Sequence, residues 1–318
     1  MPVTLANVVT SPQLEAEQPY VDSLYVPDNG GTILVAPRVA DVLSRFLALE
    51  WSTGRIDRER AEAWPLTMVA SVMESLLHSV VHAVPGREES QAAGRAESSE
   101  WWVWPSGAAW DEGLAELTAQ TLSTRFLEET GFLAMDARLA SKHSVRRRLP
   151  LQVQAVRQML TMLAEGAGTS LEQELSLVLT NGLGRDSLWS AASRAARLYS
   201  AGSSAIHGVK IPMLHALPPV LGVFDGVLSE VTQAWSAGGV GETSMYENEL
   251  EAGSKLGVRA VEDAERALGR VAAQMKGMPD LALLGKGIAD AATAASRSVE
   301  ARLDDVWAQL ESMTLMGG

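Results

Sequence analysis

The sequence predicts a mainly α-helical protein of the α+β class: a helical domain carrying a small β-hairpin or sheet, with amphipathic helices at its C-terminal end. Three observations predict it. Apolar residues recur at three-and-four spacing along most of the chain, which lines them up on one side of a helix. The β-like runs are confined to two short segments near the N-terminus. Hydrophobic residues make up 47% and charged residues 20% of the 318, the balance of a chain that folds.

In chain order, residues 1–22 read as an irregular lead-in. Leu24-Tyr25-Val26 and Thr32-Ile33-Leu34-Val35 are β-like, and the Asn29-Gly30 step between them supplies the positive φ of a tight hairpin turn. Pro37 opens a helix whose Val39, Val42, Leu43, Phe46, Leu47 and Leu49 share one face. A longer helix spans about residues 65–84 and stops at Pro85-Gly86. Residues 87–100 are small and polar and read as a loop. A helix over about residues 108–129 ends at Thr130-Gly131, with Gly131 as its C-cap. Further helices fall at about 150–166, at 170–179 with Ser170 and Gln173 as a capping box, and at 187–200. Residues 202–219 read as irregular, and 236–241, rich in Gly, as a linker. Beyond it, Leu256, Val261, Ala264, Leu268 and Val271 follow helical spacing, as do Ile288, Ala292, Ala295, Val299, Leu303, Val306 and Leu310. The resulting organisation is a lead-in (1–22), a main domain (23–200), an irregular connector (201–242) and a C-terminal helical region (243–318).

Composition excludes several classes of function. With 26 Lys+Arg against 39 Asp+Glu and a net charge of −13, the chain lacks the cationic excess that phosphate-backbone binding needs, so nucleic acid is not an expected partner. The absence of cysteine removes disulfide scaffolds, thiolate nucleophiles and cysteine-ligated metals. The N-terminus has no basic segment followed by an apolar run, so synthesis in the cytoplasm is the expectation. The longest apolar run, residues 211–228, is broken by Pro212, Pro218, Pro219, His215 and Asp225, and no membrane span is expected. Gly182-Leu183-Gly184-Arg185 and Leu284-Gly285-Lys286-Gly287 lack phosphate-loop spacing, and no G-x-S-x-G elbow occurs.

Chemistry concentrates in two segments. His78 and His82 are four apart in the 65–84 helix, so both imidazoles project from one face and can reach one divalent ion. Trp110-Asp111-Glu112-Gly113-Leu114-Ala115-Glu116, at the start of the next long helix, offers a carboxylate. His78, His82 and Glu112 together make a zinc triad with an open fourth position. Glu116, one turn beyond Glu112, is a candidate substitute base or fourth ligand. Glu74, one turn before His78, and Asp111 are candidates to support the ligands from behind.

The order strand, helix, helix with HxxxH, loop, and helix opening with DEGLAE resembles the gluzincin class of zinc metallopeptidases. More narrowly, GTILVAPRVADVL, LLHSVVHAV, WDEGLAEL and LPLQVQAVRQML, across roughly residues 30–200, are similar to small peptidase-like domains encoded among the structural genes of bacteriophages of high-GC bacteria. The resemblance implies zinc at His78, His82 and Glu112. It also implies a virion or capsid-assembly setting, in which the partners are other protein subunits. In that class a glutamate follows the first histidine and takes a proton from the metal-bound water, whereas this chain has Ser79. A hydroxyl is no base near neutral pH, and losing positioned general-base help typically removes a factor of about 10² to 10⁴ in rate.

The expectation is therefore a catalytically impaired, peptidase-like protein with a structural or assembly role, binding zinc. One alternative is an active zinc metallopeptidase that processes virion or host proteins, in which Ser79→Glu raises activity. Another is a metal-free helical interaction module. Trp101, Trp102, Trp104 and Trp110 crowd together before Glu112 and suit a cleft wall, a core cap or a partner surface. The basic cluster from Lys142 to Arg148 reads as a solvated turn, while His207 and His215 lie in segments expected to be irregular.

Overall fold

The computed structural model describes residues 8–17, 23–26, 32–53, 66–83, 105–141, 149–180, 182–237 and 243–277. The protein is mainly helical, with one small sheet among the described residues. Strands β1 (Val8–Thr10), β2 (Ser23–Val26) and β3 (Thr32–Val35) lie in the order β1-β3-β2. β2 pairs antiparallel with β3 in the register Ser23↔Val35 to Val26↔Thr32, the pairing the sequence predicts; its Asn-Gly turn lies outside the described residues. β1 pairs in parallel with β3, with Val8 opposite Ile33. It falls, with the short helix α1 (Pro12–Glu17), inside the segment expected to be irregular. Three residues are too few for periodicity to register, and β1 takes its extended form from the ladder it joins.

The sheet packs on helices α2 (Pro37–Thr53) and α3 (Leu66–Ala83). Ile33, Val35, Ala36, Val39 and Val72 form one buried cluster. Phe46, Leu66, Val69, Met73, Leu127 and Leu139 form a second, capped by Phe132, whose ring stacks on Phe46 at 5.8 Å. Leu127 belongs to α4 (Pro105–Glu129), and Phe132 opens the short α5 (Phe132–Met135), which a 3₁₀ turn (Ala137–Ser141) follows. Gly131, between α4 and α5, takes the left-handed φ of 84° expected of a helix-ending glycine.

α4 is buried around most of its circumference: Ala109, Trp110, Leu114, Ala115, Leu117 and Ala119 are all inaccessible. Against it lies α6 (Pro150–Ala167), burying Leu151, Val153, Val156, Met159, Leu160 and Leu163. The close approach of the two backbones requires glycine at 113: a Cβ there would lie 2.9 Å from both the Gln152 carbonyl oxygen and Val156 Cγ2. α7 (Leu171–Leu179) opens with the predicted capping box, Ser170 accepting from the Gln173 N–H and Gln173 accepting from the Ser170 N–H.

Helices α8 (Arg185–His207), α9 (Met213–Ala237) and α10 (Thr243–Gly277) complete the described chain. The irregular stretch expected at 202–219 shrinks to a few residues around Gly208-Val209-Lys210, because α8 runs on to His207 and α9 starts at Met213. The Pro212 carbonyl accepts from the N–H groups of His215 and Ala216 and starts α9. Pro218 and Pro219 then sit inside that helix, where each forgoes one backbone hydrogen bond, and the helix occupies most of the 201–242 connector expected to be irregular. Residues 213–236 of α9 are long and apolar enough to cross a membrane by length and composition, and only partly buried. α10 packs on α6 through Gly253 and Gly257, where a Cβ would meet the Leu151 and Ala155 carbonyl oxygens at 2.5 Å. The predicted helix at 288–310 lies outside the described residues.

The chain divides into two compact units. The first holds Met1–Ala191 and Phe224–Val261, with the sheet, α2 to α7 and the site below. The second holds Ala192–Val223 and Glu262–Gly318; within it Ala192, Ala195, Ala196, Ala216, Val220, Ala264, Leu268 and Ala272 are buried, a small-residue core.

Candidate metal centre

α3 presents two adjacent polar stripes. Ser75 and Ser79, one turn apart, face β2, and His78 and His82, also one turn apart, face α4. The first stripe is a hydroxyl cluster. Ser23 Oγ donates to the Ser75 carbonyl oxygen at 2.9 Å, with Ser75 Oγ at 3.1 Å and Ser79 Oγ at 2.8 Å, and all three serines are buried. Ser79, at the position of the glutamate that the resembled class uses as base, thus ties α3 to the sheet.

The second stripe meets the start of α4. His78 Nε2 lies 3.3 Å from Glu112 Oε2, and His82 Nε2 lies 3.7 Å from Glu112 Oε1. The two imidazole centroids are 4.9 Å apart, and the rings are tilted by 57°. One donor atom from each of His78, His82 and Glu112 falls within 4.8 Å of the others, so among the described residues this is a group that could hold a metal ion. Ligands around a tetrahedral zinc stand roughly 3.4 Å apart, given bonds of about 2.0–2.2 Å. The two separations between the histidines and Glu112 are of that size. Glu112 is the most exposed of the three, its side chain 31% accessible against 13% and 15% for the histidines, which puts the solvent side of the group at the carboxylate.

The other ring nitrogen of His78 is engaged from behind: Nδ1 lies 3.0 Å from Glu116 Oε2. The second oxygen of Glu116 accepts from Gln120 Nε2 at 3.1 Å, and Gln120 Oε1 accepts from the Arg157 guanidinium at 3.0 Å. Glu116 is 2% exposed with both oxygens in hydrogen bonds, which takes away the free, water-facing oxygen that a substitute base or fourth ligand needs. Its position is that of the carboxylate that orients a metal-bound histidine.

The electrostatics of the two histidines diverge. Burial works against the His78 imidazolium, but the hydrogen bonds with Glu112 and Glu116 and their charges outweigh it and hold its pKa at about 9. Burial also dominates at His82; the attraction of Glu112 is too weak to offset it and the neighbouring His78 adds to it, so the pKa falls to about 4. At neutral pH His82 offers a lone pair, while His78 must give up a proton before it can ligate.

The remaining candidates fall elsewhere. Asp111 is buried and accepts from the Gly184 backbone N–H at 2.8 Å. Trp110 Nε1 donates to Ser187 Oγ at 2.8 Å, and Ser187 in turn donates to the Gly184 carbonyl. Both residues thus fasten the start of α8 to α4. Trp110 is a core residue with no exposed surface, which corrects its assignment to a partner surface: an indole at that point of α4 finds both an apolar surround and an acceptor for its N–H. Glu74 is buried on α3, one turn before His78. Trp101, Trp102, Trp104, the loop at 87–100, the basic cluster at 142–148 and the His207 side chain lie outside the described residues.

Sequence reasoning overlooked Ser23, Gly113, Gln120 and Arg157. One signal was available: Glu112, Glu116 and Gln120 recur at four-residue spacing and so share one face of the helix. Glu116, the buried member of that row, needs partners.

The fold and this group define a mainly helical protein with a two-helix His/His/Glu cluster able to hold a metal ion. No family model, curated protein or solved structure matches the chain.

Proposed function

We propose that the chain is a peptidase-like protein of gluzincin type that binds zinc for structure and has lost efficient hydrolysis. The observation that carries this reading is the convergence of His78, His82 and Glu112 from two helices, with Glu116 behind His78. Two imidazoles and one carboxylate suit zinc better than magnesium or calcium, which take oxygen ligands. When bound, zinc supplies a Lewis acid and an acidified water. The chain's own residues would bind it through His78, His82 and Glu112, orient His78 through Glu116, and cross-link α3 to α4. Position 79 supplies no group to take the water's proton among the described residues, because Ser79 is a hydroxyl and is bonded to Ser23. The assembly role, with other virion subunits as partners, extends this reading by the resemblance of the sequence to phage-encoded domains.

Thermal unfolding with and without zinc, run beside a peptide-cleavage assay, tests the proposal. Zinc at about a hundredfold above Kd is expected to raise Tm by roughly 5–10 °C, without measurable cleavage. Zinc-dependent cleavage that disappears in a His78→Ala/His82→Ala variant would overturn the structural reading in favour of an active peptidase.

A further inference from the structure

Behind the candidate centre runs a chain of three hydrogen bonds from Arg157 on α6, through Gln120 and Glu116 on α4, to His78 on α3. Its direction follows from what each group can do. A guanidinium only donates, so the Gln120 atom facing Arg157 must be the carbonyl oxygen. The amide nitrogen of Gln120 is then turned to Glu116 Oε1 and donates to it. A carboxylate that accepts on one oxygen and holds no proton accepts on the other as well, so His78 Nδ1 must carry the hydrogen facing Oε2. With the proton held on Nδ1, Nε2, the atom that faces Glu112, is the nitrogen that gives up its proton and presents a lone pair to a metal.

We propose that Arg157 is a positioning residue of the metal centre: by holding the Gln120 carbonyl it keeps the Gln120 N–H on Glu116, and Glu116 in turn keeps the proton on His78 Nδ1, so that Nε2 is the nitrogen presented to a metal. This rests on the metal-binding reading for its function, but the hydrogen-bond polarity stands apart from whether a metal is taken up. It also ties the packing of α6 on α4 to ligand geometry on α3. Without Arg157 the Gln120 carbonyl loses the donor that holds it, and the N–H given to Glu116 is less firmly placed.

The test combines zinc competition titration with ¹⁵N NMR of the His78 ring in the full-length protein and in three variants. Arg157→Met is expected to weaken zinc binding about tenfold, the lower end for groups behind a metal ligand, and to expose the Nδ1 proton to solvent exchange. Arg157→Lys, which still donates, is expected to recover most of the affinity. Gln120→Glu keeps a partner for Arg157 but loses the N–H that Glu116 requires. It is expected to weaken zinc binding as Arg157→Met does, with the fold intact by circular dichroism. If Arg157 only packs α6 on α4, Arg157→Met will bind zinc as the parent does and leave the Nδ1 proton as protected, and the proposal fails. It fails equally if zinc sits on Nδ1, or if the Nδ1 proton exchanges at the same rate in all four proteins. A parent protein that takes up no zinc but has a protected Nδ1 proton, lost in Arg157→Met and Gln120→Glu, would overturn the zinc reading and leave the positioning role standing.

Discussion

Glu116 Oε2 stands 3.0 Å from Nδ1 of His78, and this pairing turns the opposite nitrogen of the ring towards Glu112. A buried carboxylate four residues after a candidate ligand on the same helix thereby reaches a ligand on a different helix. Replacing it by its neutral isostere should expose that role. Glu116→Gln keeps volume and shape but offers His78 an amide, so zinc affinity is expected to drop about 10- to 100-fold with the helical content unchanged. The same change should lower the His78 pKa from about 9. Unaltered zinc affinity in a competition titration would rule out the orienting role.

The opposite shifts at the two histidines set a pH dependence. His78 is raised above 6.5, so its contribution to stability is complete below pH 6.5 and is lost as pH rises through about 9. His82 is lowered to about 4, so its contribution is complete above pH 6.5 and is lost as pH falls through about 4. Together they place the metal-free optimum of this pair near pH 6.5. Zinc must displace the His78 proton, so at pH 7 calorimetry in buffers of different ionisation enthalpy should give about one proton released per zinc. Zero release would show that His78 is neutral in the free protein.

Gly113 separates a ligand from the core. Gly113→Ala places a Cβ 2.9 Å from the Gln152 carbonyl oxygen, and that backbone atom has no rotamer by which to retreat. Overpacking of this kind costs about 1–3 kcal/mol. Urea unfolding should report that loss, and because Glu112 is the preceding residue, zinc affinity should fall with it. A variant as stable as the parent would mean that α4 and α6 adjust their spacing freely.

Ser79→Glu is the substitution the sequence alone would choose to restore activity. In the structure the Ser79 hydroxyl lies 2.8 Å from Ser23 Oγ, in a buried cluster between α3 and β2. A carboxylate there loses water, and the neighbours it meets in the described cluster are hydroxyls. The expected outcome is a loss of about 2–4 kcal/mol in stability and no gain in peptide cleavage with zinc present. Cleavage that rises in a stable Ser79→Glu protein would show that residue 79 can be turned back to the metal.

Most of the helices and the His78–His82 pair were legible because both rest on local spacing, whereas Glu112, on another helix, was joined to them by the motif resemblance. Apolar residues at three and four positions reveal a buried helical face, and two histidines four apart must share a stripe wherever the helix goes. The roles of Asp111 and Glu116 were not legible. Both acidic groups sit on one short stretch of α4, yet one faces Gly184 and the other His78, a difference set by which helices pack on either side. The strand at Val8–Thr10 and the helix running through Pro218 and Pro219 were hidden for the same reason: the ladder with β3 and the helix start at Pro212 decide them, against local preference.

Metal content tests the central claim most directly. Full-length protein purified without chelator, examined by elemental mass spectrometry beside a His78→Ala/His82→Ala variant, is expected to carry about one zinc per chain that the variant lacks. Protein that remains without zinc after zinc is added back, or a double variant that retains as much as the parent, would contradict a metal centre at His78, His82 and Glu112.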